Sequence, residues 1–122
     1  MKIESSVPLK AYLGIKYYKD HRNRYLIDLI SSTLLDLGVR TVCIARDIEK
    51  WGKVELHPQE LMRASFEQIG LSDFVILEMT EKGVGLGIEA GYAAAIGKPL
   101  IVLTKNKKTL SNTLLGIADA VV

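Results

Sequence analysis

The chain has 122 residues, 48% of them apolar and 25% charged, with sixteen Lys/Arg against fourteen Asp/Glu. That size and composition suit one domain, residues 1–122, built around a single core, and exclude a largely disordered chain. A net charge of +2 gives no electrostatic case for a nucleic-acid binder, and no apolar run approaches the ~18 residues of a membrane span.

In chain order, Leu9–Leu13 reads as a first strand ending at Gly14. Asp20 or Asn23 can cap a helix whose Leu26, Ile27, Ile30, Leu34 and Leu37 form one apolar stripe, closed by Gly38. Thr41–Ala45 reads as a buried second strand, followed by a polar stretch, Arg46–His57, holding Trp51-Gly52. Pro58 suits the first turn of a second helix, with Met62, Phe66 and Ile69 on one face and Gly70 at its end. Phe74–Leu77 is a third strand, and a glycine-rich turn, Gly83–Gly87, leads into a helix over Ile88–Ile96 stopped by Gly97. Leu100–Leu103 is a fourth strand, Lys105–Lys108 a basic loop, Leu110–Ala118 a fourth helix and Ala120–Val122 a last short strand. Uniformly apolar strands alternating with helices predict a single-domain, doubly wound α/β fold: a five-stranded parallel sheet covered on both faces. Ligands are then expected at the carboxyl ends of the strands.

Several features are decoys. Gly91 to Gly97-Lys98 has P-loop flavour, but the spacing is one residue too long and Pro99 stands where Ser or Thr belongs. Gly85 and Gly87 are followed by Ala90, so the dinucleotide fingerprint also fails. His21, His57 and Cys43 lack metal-ligand spacing, which predicts no metal site. A single cysteine cannot staple the chain, and Cys43 in a strand reads as a core residue. The polar opening Met-Lys-Ile-Glu-Ser-Ser does not suit a secretory signal, so a cytoplasmic protein is the expectation.

The informative segment is Gly83-Val84-Gly85-Leu86-Gly87-Ile88-Glu89-Ala90-Gly91-Tyr92. Glycines at 83, 85 and 87, directly after a buried strand, let backbone amides approach a ligand with no Cβ in the way. The helix that follows offers unpaired N–H groups and positive dipole. Glu89 is expected in its first turn, as a dipole partner or as an ionised carboxylate at the sheet edge. In the second role it suits attack on an oxocarbenium-like sugar carbon.

These residues, with Gly97-Lys98-Pro99, resemble the signature of the nucleoside 2-deoxyribosyltransferase family around its nucleophilic glutamate, most like the 2′-deoxynucleoside 5′-monophosphate N-hydrolases. Leu110-Ser111-Asn112-Thr113-Leu114-Leu115-Gly116-Ile117-Ala118-Asp119 is similar to those hydrolases' L-S-x(4)-G-x-A-D run, whose serine binds the substrate 5′-phosphate. Ala11-Tyr12-Leu13-Gly14 matches the family's opening strand and ligand loop. The resemblance implies N-glycosidic cleavage or transfer with Glu89 as nucleophile. It also implies a pocket shaped by Tyr12, Gly14 and Lys16, close backbone approach at Gly83, Gly85 and Gly87, and Ser111 on the phosphate. It implies no metal or organic cofactor, a nucleoside or nucleotide as the small-molecule partner, and a homodimer in which Ser111 reaches the partner's site.

The chain departs from those hydrolases at three places. Gly83 stands where they carry a phosphate-contacting serine, and Ile15-Lys16-Tyr17-Tyr18 replaces the S-I-R after the first glycine. Ser65 stands where they keep a catalytic aspartate; Glu60, Glu67 and Asp73 are not placed to substitute. The alternative to an enzyme is therefore a nucleotide-binding or signalling module that kept the fold and lost turnover.

Overall fold

The computed structural model describes residues 8–122; the polar opening segment behind the cytoplasmic expectation lies outside them. Five parallel strands, β1 (Leu9–Ile15), β2 (Val39–Val42), β3 (Phe74–Glu78), β4 (Leu100–Leu103) and β5 (Ala120–Val121), form one sheet in the order β2-β1-β3-β4-β5. The four main helices are α1 (Arg24–Asp36), α2 (Pro58–Leu71), α3 (Val84–Ala95) and the single turn α4 (Asn112–Leu115). This is the expected doubly wound arrangement. Strand order reverses between β1 and β3, which opens a crevice above their carboxyl ends.

Side chains alternate across the sheet and build two cores. Tyr12, Val75, Leu77, Leu100 and Val102 pack under α2 and α3 with Ile69, Leu86 and Ala93. Ala11, Leu13 and Ile76 pack under α1 with Ile27. Among the described residues α1 is the one helix on that second face, and Ile101 and Leu103 beyond it stay partly exposed. Among the described residues no helix is long and apolar enough to cross a membrane.

The strands β1, β3 and β4 lie where their apolar runs put them; five other expectations need correction. β2 ends at Val42, before the expected Ala45, because the Asp47 carboxylate accepts the Cys43 N–H at 2.9 Å and the chain turns into a π-helical segment, Ile44–Ile48. Arg46 locks that turn, donating to the Thr41 carbonyl at 2.9 Å and to Ser31 Oγ at 2.7 Å. α1 has no side-chain cap, since Asn23 donates to the Lys16 carbonyl at 2.6 Å and Asp20 pairs with Arg22. Leu37, expected on the buried stripe, is 75% exposed at the helix end. α3 begins at Val84 rather than Ile88, so Gly85 and Gly87 are helical, not turn, residues. The fourth helix shrinks to one turn because Ser111 Oγ caps Leu114 N–H at 3.2 Å, after a separate 3₁₀ turn over Lys107–Thr109.

Candidate active site

A cavity of about 520 Å³ lies over the carboxyl ends of β1, β2 and β3. Its floor is Tyr12–Lys16; one side is the start of α3, another the segment after β2, and α2 supplies Leu61, Met62 and Ser65. The period-two alternation of β1 turns Tyr12 and Gly14 toward α3, where Glu89 comes down one turn and a half into the helix. The Tyr12 hydroxyl donates to Glu89 Oε2.

This environment corrects the expectation for Glu89. Because the helix starts at Val84, Glu89 is in its second turn, where the dipole has largely faded. Burial pushes its carboxyl up to about 7, against the downward pull of the Tyr12 hydrogen bond. Burial, and next the Glu89 charge, hold the Tyr12 phenol far above its usual range, so it remains a donor. The pair is a partly buried carboxyl poised between its two protonation states near neutral pH, with a fixed phenolic donor on one oxygen.

Gly14 has a packing reason to be glycine. A Cβ there would overlap Leu77 Cδ2, and would stand 3.3 Å from Leu86 Cδ2 and 3.5 Å from Glu89 Oε1. Leu77 is fully buried, so it has nowhere to move. Gly14→Ala is expected to destabilise the fold by about 1–3 kcal/mol through overpacking, measured by urea denaturation, and to displace the Glu89 carboxyl. A destabilisation below about 0.5 kcal/mol would mean the contact relaxes freely.

The structure brings Tyr12, Gly14, Lys16, Gly83, Gly85 and Glu89 to this one cavity. Gly87 and Ser111 instead line a neighbouring cavity of about 760 Å³ between α3 and α4. The two cavities share Lys16, Gly83 and Val84. A Cβ at Gly85 or Gly87 would meet nothing within 4 Å, so these glycines leave open space beside the backbone rather than relieve strain. Lys16 Nζ donates to the Lys82 carbonyl at 2.9 Å, tying the first loop to the glycine segment. Ser65 is 5% exposed beside the Tyr12 hydroxyl and donates to the Leu61 carbonyl at 3.0 Å. Asp73 is bound to the Lys10 N–H at 2.8 Å, at the amino end of the sheet and away from the cavity. Burial raises the Cys43 thiol above its usual range, consistent with a core residue rather than a nucleophile. Among the described residues no group of three or more His, Cys, Asp or Glu could hold a metal ion.

Sequence patterns missed one wall of the cavity, made by His21, Glu49 and Trp51. His21 lies edge-on to Trp51 at 5.6 Å, and Arg24 covers the Trp51 ring at 4.4 Å. His21, Lys50 and Trp51 all adopt positive φ, near 50–57°, a conformation uncommon outside glycine. The only sequence signal was a tryptophan beside a glycine in an otherwise polar stretch.

No protein-family model matches the chain, and no curated protein does. Solved structures are similar, however. A 2-deoxyribosyltransferase from the psychrotolerant Bacillus psychrosaccharolyticus superposes with a TM-score of 0.73 at 14% identity, over 93% of this chain and 85% of that one. A conserved protein from Enterococcus faecalis V583 gives 0.72 at 16% identity, over 95% and 91%. The CMP N-glycosidase BcmB of Clostridium botulinum gives 0.67 at 17% identity, over 93% and 86%. The chain therefore has the fold on which a deoxyribosyltransferase and a nucleotide N-glycosidase are built.

Proposed function

We propose that this protein cleaves or transfers the N-glycosidic bond of (deoxy)nucleosides or their 5′-monophosphates, with Glu89 as the nucleophile. The observation that carries the reading is the partly buried Glu89 carboxyl, held by the Tyr12 phenol in a nucleotide-sized cavity at the β1/β3 crevice. In its ionised form Glu89 attacks C1′, the C1′–N bond breaks, and its electrons leave with the base. Water or a second base then displaces Glu89 from C1′. Both similar structures with a named activity act on such compounds, as a 2-deoxyribosyltransferase and a CMP N-glycosidase. The reaction needs no metal or organic cofactor. Free base released from a panel of nucleosides and monophosphates, read by chromatography, tests it; a panel that yields no base contradicts it.

Phosphate recognition falls to Lys16 and Ser111, beside the amide-rich start of α3. Val84 is 83% exposed, and Ile88, Leu115 and Ile117 add apolar surface around the cavity that holds Ser111. A second copy of the chain covering this face makes a homodimer whose cavities meet at the contact. Ser111→Ala is expected to weaken monophosphate binding by roughly 1.5–3 kcal/mol, the range for a hydrogen bond to a charged group, while nucleosides bind as before. Calorimetry checks this. Equal weakening of both ligands would reduce Ser111 to the cap of α4, and light scattering showing a monomer at micromolar concentration would remove the shared contact.

Ser65 favours a second reading. With a serine beside Tyr12 instead of a carboxylic acid, the pocket suits a binding or signalling module of weak or no turnover. Tight monophosphate binding without base release would select it.

A further inference from the structure

We propose that Glu49 is a second catalytic carboxyl, the one that protonates the departing base. The proposal rests on the N-glycosidic reading above and supplies what that reading lacks, an acid for the leaving group. Glu49 enters the cavity from the segment after β2, and Glu89 from the helix after β3, with β1 between them. A base displaced from C1′ leaves far more readily with a proton than as an anion. The other candidates are occupied. The Tyr12 hydroxyl donates its hydrogen bond to Glu89, the Ser65 hydroxyl donates to the Leu61 carbonyl, and the Glu60 carboxylate accepts the His57 N–H at 3.2 Å. Glu55 lines the cavity but is exposed.

Glu49 is partly buried, and among the described residues its carboxyl has no hydrogen-bond or ion-pair partner. Burial raises it above the usual carboxylate range, while the neighbouring His21 draws it down. Its position is held by the chain around it: the Glu49 N–H donates to the Ile44 carbonyl at 2.9 Å, and its own carbonyl accepts from Gly52 at 3.0 Å and Val54 at 3.0 Å. Trp51 and His21 line the same cavity as an aromatic wall, and His21 Nε2 is buried with no hydrogen-bond partner among the described residues. A planar base lying along this wall meets the Glu49 carboxyl at its edge.

The step balances as a double displacement. Glu49 gives its proton to a ring nitrogen of the base as the C1′–N electrons move onto that base and Glu89 forms the C1′–O bond. Water then attacks C1′ and loses a proton to Glu49, and the C1′–O electrons return to Glu89, restoring both carboxyls.

The test compares two leaving groups in the parent, E49Q and E89Q. Base release from the common 2′-deoxynucleoside 5′-monophosphates is expected to fall ~10²–10⁴-fold in E49Q, the range for a positioned proton donor. The first-turnover burst of nitrophenolate from 4-nitrophenyl 2-deoxyriboside 5-phosphate, which needs no proton and precedes the attack of water, is expected to keep its rate within about threefold. E89Q should lose both. The glutamine keeps the side-chain shape, and melting curves matched to the parent establish that E49Q is folded. For E49D, which keeps the acid one methylene shorter, base release between that of E49Q and the parent supports the role. An active parent in which E49Q slows both leaving groups alike, or neither, overturns the role of Glu49 and leaves the N-glycosidic reading standing. A parent inert toward both substrates removes that reading, and Glu49 as proton donor with it.

Discussion

Replacing Glu89 with glutamine is expected to abolish base release, by a factor on the order of 10³ or more, while making the folded chain more stable at alkaline pH. The first effect follows because the amide keeps size and hydrogen-bonding shape but cannot attack C1′. The second follows from burial. The Glu89 carboxyl rises from its ordinary 4.5 to about 7 in the folded chain. A raised carboxyl favours its protonated form when folded, so its contribution is fully present below pH 4.5 and is lost as pH rises through about 7. The loss is on the order of 3 kcal/mol above that range. Glutamine never ionises, so E89Q and the parent should denature alike at pH 4 and diverge at pH 8, with the variant more stable. Urea titrations at the two pH values check this. Equal stability at both would mean that Glu89 is not desolvated, and undiminished turnover would remove it as nucleophile.

Tyr12→Phe is the second large effect. The ring is almost wholly buried in the core under α2 and α3, and phenylalanine fills the same space. What disappears is the one hydrogen bond that lowers the Glu89 carboxyl. Glu89 therefore moves further up, and less of it is ionised at neutral pH. With a bond to a charged group worth roughly 1.5–3 kcal/mol, base release at pH 7 should fall about 10–150-fold. Part of that loss should return toward pH 9, because the acid limb of the rate profile shifts to higher pH. A profile that drops uniformly without shifting would assign Tyr12 to substrate binding alone.

The sheet was legible because β1, β3 and β4 are apolar on both faces, a pattern that only a covered parallel sheet explains. Glu89, Tyr12 and Gly14 were legible for a different reason: they sit at strand ends or one turn into a helix after a strand, where topology alone brings them together. β2 was misplaced because Thr41–Ala45 is apolar enough for a strand, yet Asp47 and Arg46 capture the backbone at Cys43 and Thr41. Periodicity carries no record of such a capture. The start of α3 was read late because glycines at 85 and 87 are poor helix formers in isolation, while in the structure tertiary context overrides propensity. The surroundings of Glu89 follow from the same shift, since the four extra residues of helix, 84–87, move it from the first turn, where the dipole supports a carboxylate, into the second. The His21–Glu49–Trp51 wall had no sequence signature beyond Trp51-Gly52 in a polar stretch. It depends on a loop held at positive φ and on packing between segments far apart in the sequence.

The central claim, that Glu89 carries the sugar through a covalent intermediate, is tested most directly by trapping it. The parent chain is incubated with a 2′-deoxy-2′-fluoroarabino nucleoside 5′-monophosphate, whose fluorine slows release of the sugar from the enzyme, and then digested for mass spectrometry. An adduct equal to the sugar phosphate without its base is expected on the peptide that contains Glu89, and none on E89Q. Base release with no adduct, or an adduct on any other residue, would contradict it.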